Sequence, residues 1–424
     1  MTKRARRSSL SRRLFVALVA VVTALTLAAP PAAAAKNHWV GTWGTSMQEP
    51  GPDGFSGPNW SREGFTDQSV RQVVRVSTGG LRLRVRLSNE YGTVPLRLTG
   101  ASVGKASTGG SLRPGSVRSL TFDHSPSATI PAGEQLASDP VPLPIAPLET
   151  LSVTLYFAEP TGPSTFHEQA VATTYRAAGD HRFDRAASAF TESTKSWYYL
   201  AGVDVADRVF GARDTVVTLG DSITDGVAST VDAHNRYPDE LAERLVAARK
   251  PLGVLNAGIS GNRVLRDSPC FGANALDRFE RDVAEQPGVR TVIVLEGIND
   301  IGMGGPGFGD CVPPSPEVTA QDLIDGHREL IEAARDAGIK TVGATLLPMK
   351  GAFYHDSEAE AVRDAVNEWI RGSGEYDEVL DLDRIMADPE DGDRLNPAYD
   401  GGDGLHPNDA GMRAMAEAID LNTL

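Results

Sequence analysis

VVTLGDSITDGV, residues 216–227, places an acid and a hydroxyl directly after an apolar run. The run 216–219 has the composition of a short buried strand. Gly220 and Asp221 both favour turns, so a plain turn after a strand is one interpretation of the stretch. The other interpretation is a nucleophile, Ser222, held at the end of a strand. The remainder of the sequence has to decide between the two.

The chain after about residue 210 alternates between strand-like and helix-like segments. The strand-like runs are 215–219, 253–256, 291–295, 340–346 and 378–381, and the helix-like segments are 237–249, 273–285, 319–337, 357–371 and a last helix from Pro407 to about Ile419. This alternation predicts an α/β fold in which a parallel sheet is covered by helices on both faces. Ligands bind at the carboxyl ends of such strands, which is where Ser222 would lie.

The chain before about residue 210 has a different pattern. Segments 69–77, 80–88, 94–103 and 148–157 alternate apolar and polar residues with a period of two, separated by Gly, Pro, Ser and Asn. This pattern predicts an antiparallel β-sandwich. We therefore expect an accessory β-sandwich domain at 36–208 and a catalytic domain at 209–424.

Residues 1–35 have the composition of a cleaved signal peptide. Basic residues come first, an apolar run follows, and Ala33-x-Ala35 provides a small-residue cleavage site. The run is short for a membrane span, the alternative interpretation. Ser-Arg-Arg-Leu-Phe at 11–15 also resembles a twin-arginine signal, so the export route stays open. The sequence predicts a secreted, extracellular protein without a stable membrane anchor.

The net charge argues against polyanionic partners. The formal charge is −15, and loss of the leader, which has six basic and no acidic residues, takes it to −21. Such a surface repels nucleic acid and anionic headgroups. We expect no nucleic-acid partner, and the oligomeric state stays open.

Cys270 and Cys311 are the two cysteines of the chain. In an exported protein such a pair predicts one disulfide, with two unpaired buried thiols as the alternative. Two cysteines do not supply the four ligands of a structural zinc site, so we expect no metal. The cysteines lie in the loops 263–273 and 301–318. A bridge would join these two loops, which we expect to form a wall of the pocket at Ser222.

The other strand ends and the start of the last helix also have residues that could take part in a reaction at Ser222. Gly261 follows the second strand, Asn299 follows the third, and Asp403 and His406 precede the last helix. Acyl transfer requires a nucleophile, a base, an acid that orients the base, and donors for the oxyanion. Ser222, His406 and Asp403 can fill the first three roles. The oxyanion donors would be the backbone N–H groups of Ser222 and Gly261 and the side-chain amide of Asn299.

These blocks resemble the SGNH, or GDSL-type, esterase superfamily, which is named for its Ser, Gly, Asn and His blocks. The first block reads Gly-Asp-Ser-Ile, where the type motif has Leu fourth, and residues 297–300 match the family's Gly-x-Asn-Asp. The resemblance covers about 212–422 and implies a flavodoxin-like three-layer sheet with no cofactor. The stretch HWVGTWGTS at 38–46 resembles, with the strand pattern, the jelly-roll-like β-sandwich that precedes the catalytic domain in some secreted bacterial members.

The predicted function is therefore that of a secreted serine esterase acting through an acyl-enzyme. Short-acyl or acetylated carbohydrate esters are the favoured substrates, and the acyl group and alcohol stay open. A lipase or lysophospholipase acting on longer acyl chains is the alternative. A protein of a different class, a carbohydrate-binding module with a degenerate hydrolase domain, is the other alternative. Ser260, beside Gly261, is expected to be only a turn residue.

Overall fold

The computed structural model describes residues 38–54, 57–206, 214–305 and 307–424. The predicted leader and the predicted domain boundary at 208/209 lie outside these residues. Among the residues described, no helix has the length and apolar character needed to cross a membrane.

The N-terminal half is rich in strands. In chain order they are β1 Val40–Gly44, β2 Gln68–Arg75, β3 Gly80–Ser88, β4 Leu96–Leu98, β5 Gly100–Lys105, β6 Arg118–Leu120, β7 Ala128–Ile130, β8 Gln135–Ala137, β9 Val141–Ile145, β10 Thr150–Phe157, β11 Phe166–His167, β12 Thr174–Ala178, β13 Glu192–Thr194, β14 Trp197–Tyr198 and β15 Leu200–Ala206.

Two antiparallel sheets organise this half. One has the order β1-β15-β3-β8 with β9 also paired to β3, and the other has the order β13-β12-β2-β10-β5-β6. The period of two predicted for β3 is visible in its burial, because Leu83, Val85 and Leu87 are buried while the arginines between them are partly exposed. Apolar side chains from both sheets belong to one hydrophobic core.

The C-terminal half is α/β. Its elements are β16 Asp214–Gly220, α1 Ser222–Asp225, α2 Tyr237–Ala247, β17 Leu252–Gly258, α3 Ala275–Phe279 with a π-helical turn Glu280–Ala284, β18 Val289–Leu295, α4 Ile298–Gly302, α5 Ala320–Asp336, β19 Lys340–Ala344, α6 Ser357–Gly372, β20 Glu378–Leu380, α7 Leu382–Met386, β21 Ala387–Asp388, β22 Asp391–Leu395 and α8 Asp409–Ala418.

Strands β16 to β20 form a parallel sheet with the order β17-β16-β18-β19-β20. Neighbouring residues of a strand point to opposite faces. Val216 and Val217 are both buried, yet they belong to two different hydrophobic clusters. One cluster includes residues of α5 and α6, and the other includes residues of α2 and α8. Burial on both faces explains why these strands read as continuous apolar runs.

The predicted helices differ from the structure mainly at their ends. The last helix begins at Asp409 rather than Pro407, because the Asn408 side chain accepts hydrogen bonds from the N–H groups of Ala410 and Gly411 and so caps the helix there. Helices α1, α4 and α7, with four or five residues each, were not predicted. They are too short to show a helical period.

The two halves pack together as one compact unit. Gly253 of the edge strand β17 lies so close to β1 that a Cβ atom there would overlap the carbonyl oxygen of Gly41. The Ser77 hydroxyl accepts a hydrogen bond from Val254 N at 2.9 Å. The Arg86 guanidinium donates to the Gln286 side chain at 2.7 Å. Hydrogen bonds and close backbone contact therefore both join the halves.

Candidate active site

Ser222 begins a four-residue helix at the carboxyl end of β16. The Asp221 side chain accepts a hydrogen bond from Ile223 N at 2.9 Å and caps this helix. Gly226 N donates to Ser222 O at 2.9 Å and closes the turn. The chain therefore turns sharply at the strand end, with the Ser222 side chain at a pocket.

His406 lies between Ser222 and Asp403. Its Nε2 is 2.8 Å from Ser222 Oγ, and its Nδ1 is 2.6 Å from Asp403 Oδ2. A ring nitrogen facing a carboxylate carries the hydrogen, which leaves the Nε2 lone pair to accept the Ser222 hydroxyl proton. This is the arrangement of a nucleophile, a base and an orienting acid.

Asp403 is held as a carboxylate. Burial opposes its ionisation, but hydrogen bonds from the His406 side chain and from the N–H groups of His406 and Leu405 outweigh burial and keep the pKa of Asp403 well below its usual range. The negative charge beside Nδ1 is therefore present throughout the neutral pH range.

Gly261 and Asn299 lie on the same pocket as Ser222. Gly261 has a φ of +77°, and a Cβ atom there would overlap the Phe271 ring, so only glycine fits. Asn299 Nδ2 donates one hydrogen to Asn262 O at 3.0 Å. Since an amide nitrogen has two hydrogens, one stays available for a ligand. The structure thus gathers all the predicted oxyanion donors around one space.

The pocket has a volume of about 380 Å³ and a largely apolar wall. Phe308 and Phe353 stand at its surface, with ring centroids 5.7 Å apart and Phe353 70% exposed. The lining residues are Ser222, Val227, Ser260, Gly261, Phe271, Asn299, Met303, Phe308, Phe353, Tyr354, Asp403, Leu405 and His406.

Cys270 and Cys311 are joined as a disulfide, and both pack against a small apolar cluster of Phe271, Met303 and Val312. Phe271 and Met303 also line the pocket. The bridge thus joins the loops that follow β17 and β18, next to the apolar wall of the pocket.

Three buried carboxyl groups are close to Ser222 or Asn299 in the chain, namely those of Asp221, Glu296 and Asp300. Burial raises the pKa of Asp221 to about 7 and the pKa of Asp300 to about 6. Burial, and then the nearby charge of Asp221, raise the pKa of Glu296 well above its usual value. Arg278, also fully buried, has Nη2 3.5 Å from Glu296 Oε2 and donates from that nitrogen to Gly220 O at 3.0 Å. Arg278 also donates from Nη1 to Ala257 O at 2.6 Å, so its guanidinium bonds to the carboxyl ends of both β16 and β17.

Some site residues were not predicted from the sequence. Arg278 and the pocket aromatics Phe308 and Phe353 belong to no motif. Ser260, expected to be only a turn residue, lines the pocket and bonds to Asp225. The sequence does hold one sign of a role for Asp225, because it is an acid three residues after Ser222.

Among the residues described, no group of three or more His, Cys, Asp or Glu side chains could hold a metal ion.

Residues 218–414 match the model of the GDSL-like lipase/acylhydrolase family. No curated protein matches the chain.

Several solved structures are similar to about half of the chain. An acetyl xylan esterase, AlAXEase, is 21% identical with a TM-score of 0.36, over 48% of this chain and 96% of that one. An aryl esterase of M. smegmatis is 18% identical with a TM-score of 0.38, over 48% and 95%. A GDSL-like lipase from Bacteroides thetaiotaomicron VPI-5482 is 20% identical with a TM-score of 0.37, over 50% and 88%.

Proposed function

We propose that the chain cleaves carboxylic esters through Ser222, His406 and Asp403, in line with the match of residues 218–414 to the GDSL-like lipase/acylhydrolase family. The observation that carries the proposal is the continuous hydrogen-bonded line from Ser222 Oγ through both nitrogens of His406 to Asp403 Oδ2, with distances of 2.8 and 2.6 Å. This line ends at a pocket that can hold an acyl group.

In the proposed reaction, Ser222 Oγ attacks the ester carbonyl carbon while His406 Nε2 takes the hydroxyl proton. Asp403 stabilises the imidazolium that forms. The tetrahedral intermediate collapses when His406 gives its proton to the leaving alcohol, which leaves an acyl group on Ser222. A water molecule, deprotonated by His406, then attacks this acyl-enzyme. The second tetrahedral intermediate collapses when His406 returns the proton to Ser222 Oγ, which releases the carboxylic acid.

The oxyanion of each tetrahedral intermediate would be bound by Ser222 N, Gly261 N and Asn299 Nδ2. Such donors act on a charge that develops only during the reaction. They therefore lower the barrier of the chemical step and contribute little to the affinity for substrate. Loss of the Asn299 amide by Asn299→Ala should lower kcat by about 100-fold or more while KM changes little. Steady-state kinetics on a short p-nitrophenyl ester measure both constants.

The Ser222→Ala variant tests the nucleophile. We expect it to abolish ester hydrolysis with an unchanged circular dichroism spectrum, because it removes one hydroxyl at the pocket surface. Ser152→Ala, which removes a buried hydroxyl from β10 in the other half, is the matched control and should stay active. Full activity of Ser222→Ala would falsify the proposed mechanism.

For the substrate, we propose a carboxylic ester with a short to medium apolar acyl group. The aromatic and aliphatic lining of the pocket supports an apolar group, since polar lining atoms come mainly from the triad and the oxyanion donors. The acetylated carbohydrates favoured from the sequence would need further polar partners for the sugar hydroxyls. Longer lipid chains remain the competing substrate class.

A series of p-nitrophenyl acetate, butyrate, octanoate and laurate, beside acetylated xylan and a phospholipid, tests this proposal. We expect the highest kcat/KM on butyrate or octanoate. Phe353→Ala should lower kcat/KM about tenfold on octanoate, because the chain loses apolar contact, and less on acetate. Phe183→Ala removes an exposed aromatic side chain of the other half and should have no effect. A clear preference for acetylated xylan or phospholipid would overturn this choice.

We also propose that the protein is exported and that residues 1–35 are removed, on the basis of the leader composition and the acidic charge. For the architecture, we propose a flavodoxin-like three-layer domain preceded by a jelly-roll-like sandwich. The order β17-β16-β18-β19-β20 with clusters on both faces supports the first assignment. The core common to the two antiparallel sheets supports the second.

A further inference from the structure

One acid beside the nucleophile has no role in the proposed reaction. Asp225 is the last residue of α1 and is buried. Its Oδ2 accepts hydrogen bonds from Ser260 N at 2.9 Å and from Ser260 Oγ at 2.7 Å. Ser260 directly precedes Gly261, so Asp225 holds the residue whose carbonyl carbon forms the peptide bond to Gly261 N.

The partner of Asp225 comes from the strand-rich half. His167, in β11, has Nε2 3.0 Å from Asp225 Oδ1, and its Nδ1 lies 2.8 Å from Ser46 O. Both ring nitrogens face oxygen acceptors, so both carry hydrogens and the ring is positively charged. Burial opposes this charge, but Asp225 and the backbone oxygens outweigh it and raise the pKa of His167 above its usual value.

We propose that His167 is a positioning residue for the oxyanion site, acting through Asp225 on the peptide between Ser260 and Gly261. The proposal rests on the proposed esterase function. It means that the strand-rich half supplies part of the catalytic geometry of the other half. The strand-rich half would then be part of the catalytic unit and not an independent binding module.

The far end of this hydrogen-bonded chain is anchored on both sides. The His167 ring stacks on Trp197, with centroids 5.5 Å apart and an interplanar angle of 28°. Ser46 Oγ accepts a hydrogen bond from Arg278 Nη1 at 3.1 Å, and Arg278 also donates to Gly220 O, next to the turn that holds Ser222. A shift of His167 would therefore disturb Ser46 and, through Arg278, the carbonyl oxygen at the end of β16.

The energetic reason for a positioning role is the directionality of the oxyanion bond. A donor contributes fully only when its N–H points at the developing charge, and a displacement on the order of 1 Å can cost about 100-fold in rate. With Ser260 held by two hydrogen bonds, the following peptide has little freedom to rotate. Loss of the His167 partner leaves Asp225 as a buried carboxylate without its counter-charge, which favours rearrangement around Ser260.

The test compares His167→Gln, Asp225→Asn and Ser260→Ala in the full chain with the wild type and with Ser222→Ala. The kcat and KM on p-nitrophenyl butyrate are measured per active site, counted by titration with a phosphonate ester that reacts with serine nucleophiles. We expect kcat to fall about tenfold or more for His167→Gln and Asp225→Asn, with KM within about twofold. Ser260→Ala should lose less, because its backbone N–H still bonds to Asp225.

His181→Gln is the matched control. His181 also lies in the strand-rich half and also bonds to a carboxylate, Asp184, and to a backbone oxygen. Asp184 belongs to the strand-rich half, whereas Asp225 follows Ser222 by three residues and bonds to Ser260, which lines the pocket. Its kcat should equal that of the wild type. A purely structural His167 would lower the melting temperature and the number of active sites but not kcat per site, and that result overturns the proposal.

The remaining outcomes are also decisive. If His167→Gln does not fold, an unchanged kcat for both Asp225→Asn and Ser260→Ala overturns the positioning role. If the wild type has no activity that depends on Ser222, the esterase function and the positioning role are overturned together. Activity that depends on Ser222 but not on His167 overturns the positioning role alone.

Discussion

Ser222 acquires its proposed reactivity from residues that are distant in the chain. His406 Nε2 bonds to Ser222 Oγ across 184 residues, and the proposed oxyanion donors at Gly261 and Asn299 follow two other strands. An isolated serine hydroxyl is a weak nucleophile at neutral pH. The chemistry of the site therefore depends on the parallel sheet, which brings these strand ends to one edge.

Glu296 makes the stability of the protein depend on pH. Its pKa is higher in the folded than in the unfolded protein. Its contribution to the free energy of unfolding is therefore complete below about pH 4 and is lost as pH rises through the folded-state pKa. Asp300 and Asp221, with pKa values of about 6 and about 7, act in the same direction. Glu296→Gln removes one titration, so the free energy of unfolding of the variant should improve relative to the wild type between pH 5 and pH 8.

Urea denaturation at each pH measures this difference. Glu329→Gln, which changes an exposed glutamate of α5, is the control and should show no such trend. A difference between Glu296→Gln and the wild type that stays constant with pH would contradict the raised pKa.

The sequence predicted which residues would meet at this edge, because each candidate follows an apolar strand or precedes a helix. It could not predict His167. The bond from His167 to Asp225 spans 58 residues and joins the two halves, and no spacing rule relates a residue of β11 to a residue of α1. The same holds for Phe353, since an aromatic residue in a loop reads equally well as core or as pocket wall.

At the level of elements, the loops after β17 and β18 form one wall of the pocket. The Cys270–Cys311 disulfide links these loops over a separation of 41 residues. Loops were the hardest part to predict, because their conformation depends on contacts made after folding rather than on a local period. The short helices α1 and α4 were missed for the same reason, although both begin at predicted motifs.

The double variant Cys270→Ser/Cys311→Ser tests the contribution of the bridge. Closure of a loop of this length predicts a loss of about 4 kcal/mol in the free energy of unfolding. Because Phe271 and Met303 pack against the cysteines and line the pocket, KM should rise more for octanoate than for acetate. Denaturant titrations and kinetics measure the two effects. Both thiols found free by mass analysis of unreduced peptides would contradict the pairing.

At the level of the whole molecule, the two halves should unfold together. Their contact includes the buried His167–Asp225 pair and the close approach of Gly41 and Gly253. We expect one calorimetric transition with equal calorimetric and van't Hoff enthalpies. Two separated transitions would contradict this expectation.

Gly253→Ala tests the contact itself. The added Cβ would overlap the Gly41 carbonyl oxygen, so we expect a loss of about 1–3 kcal/mol in the free energy of unfolding. Gly392→Ala adds a methyl group in open space and is the control. Equal melting temperatures for the two variants would show that the contact is looser than described.

The contacts of β1 and Ser77 with the edge strand β17 also lower the tendency of the parallel sheet to aggregate. An edge strand with free main-chain groups can recruit a strand from another molecule. At β17, the Ser77 hydroxyl already bonds to Val254 N, and the opposite edge strand, β20, is only three residues long. A foreign strand would first have to displace Ser77 or bind a very short template. The parallel sheet is thereby protected against growth into intermolecular β-structure at high protein concentration.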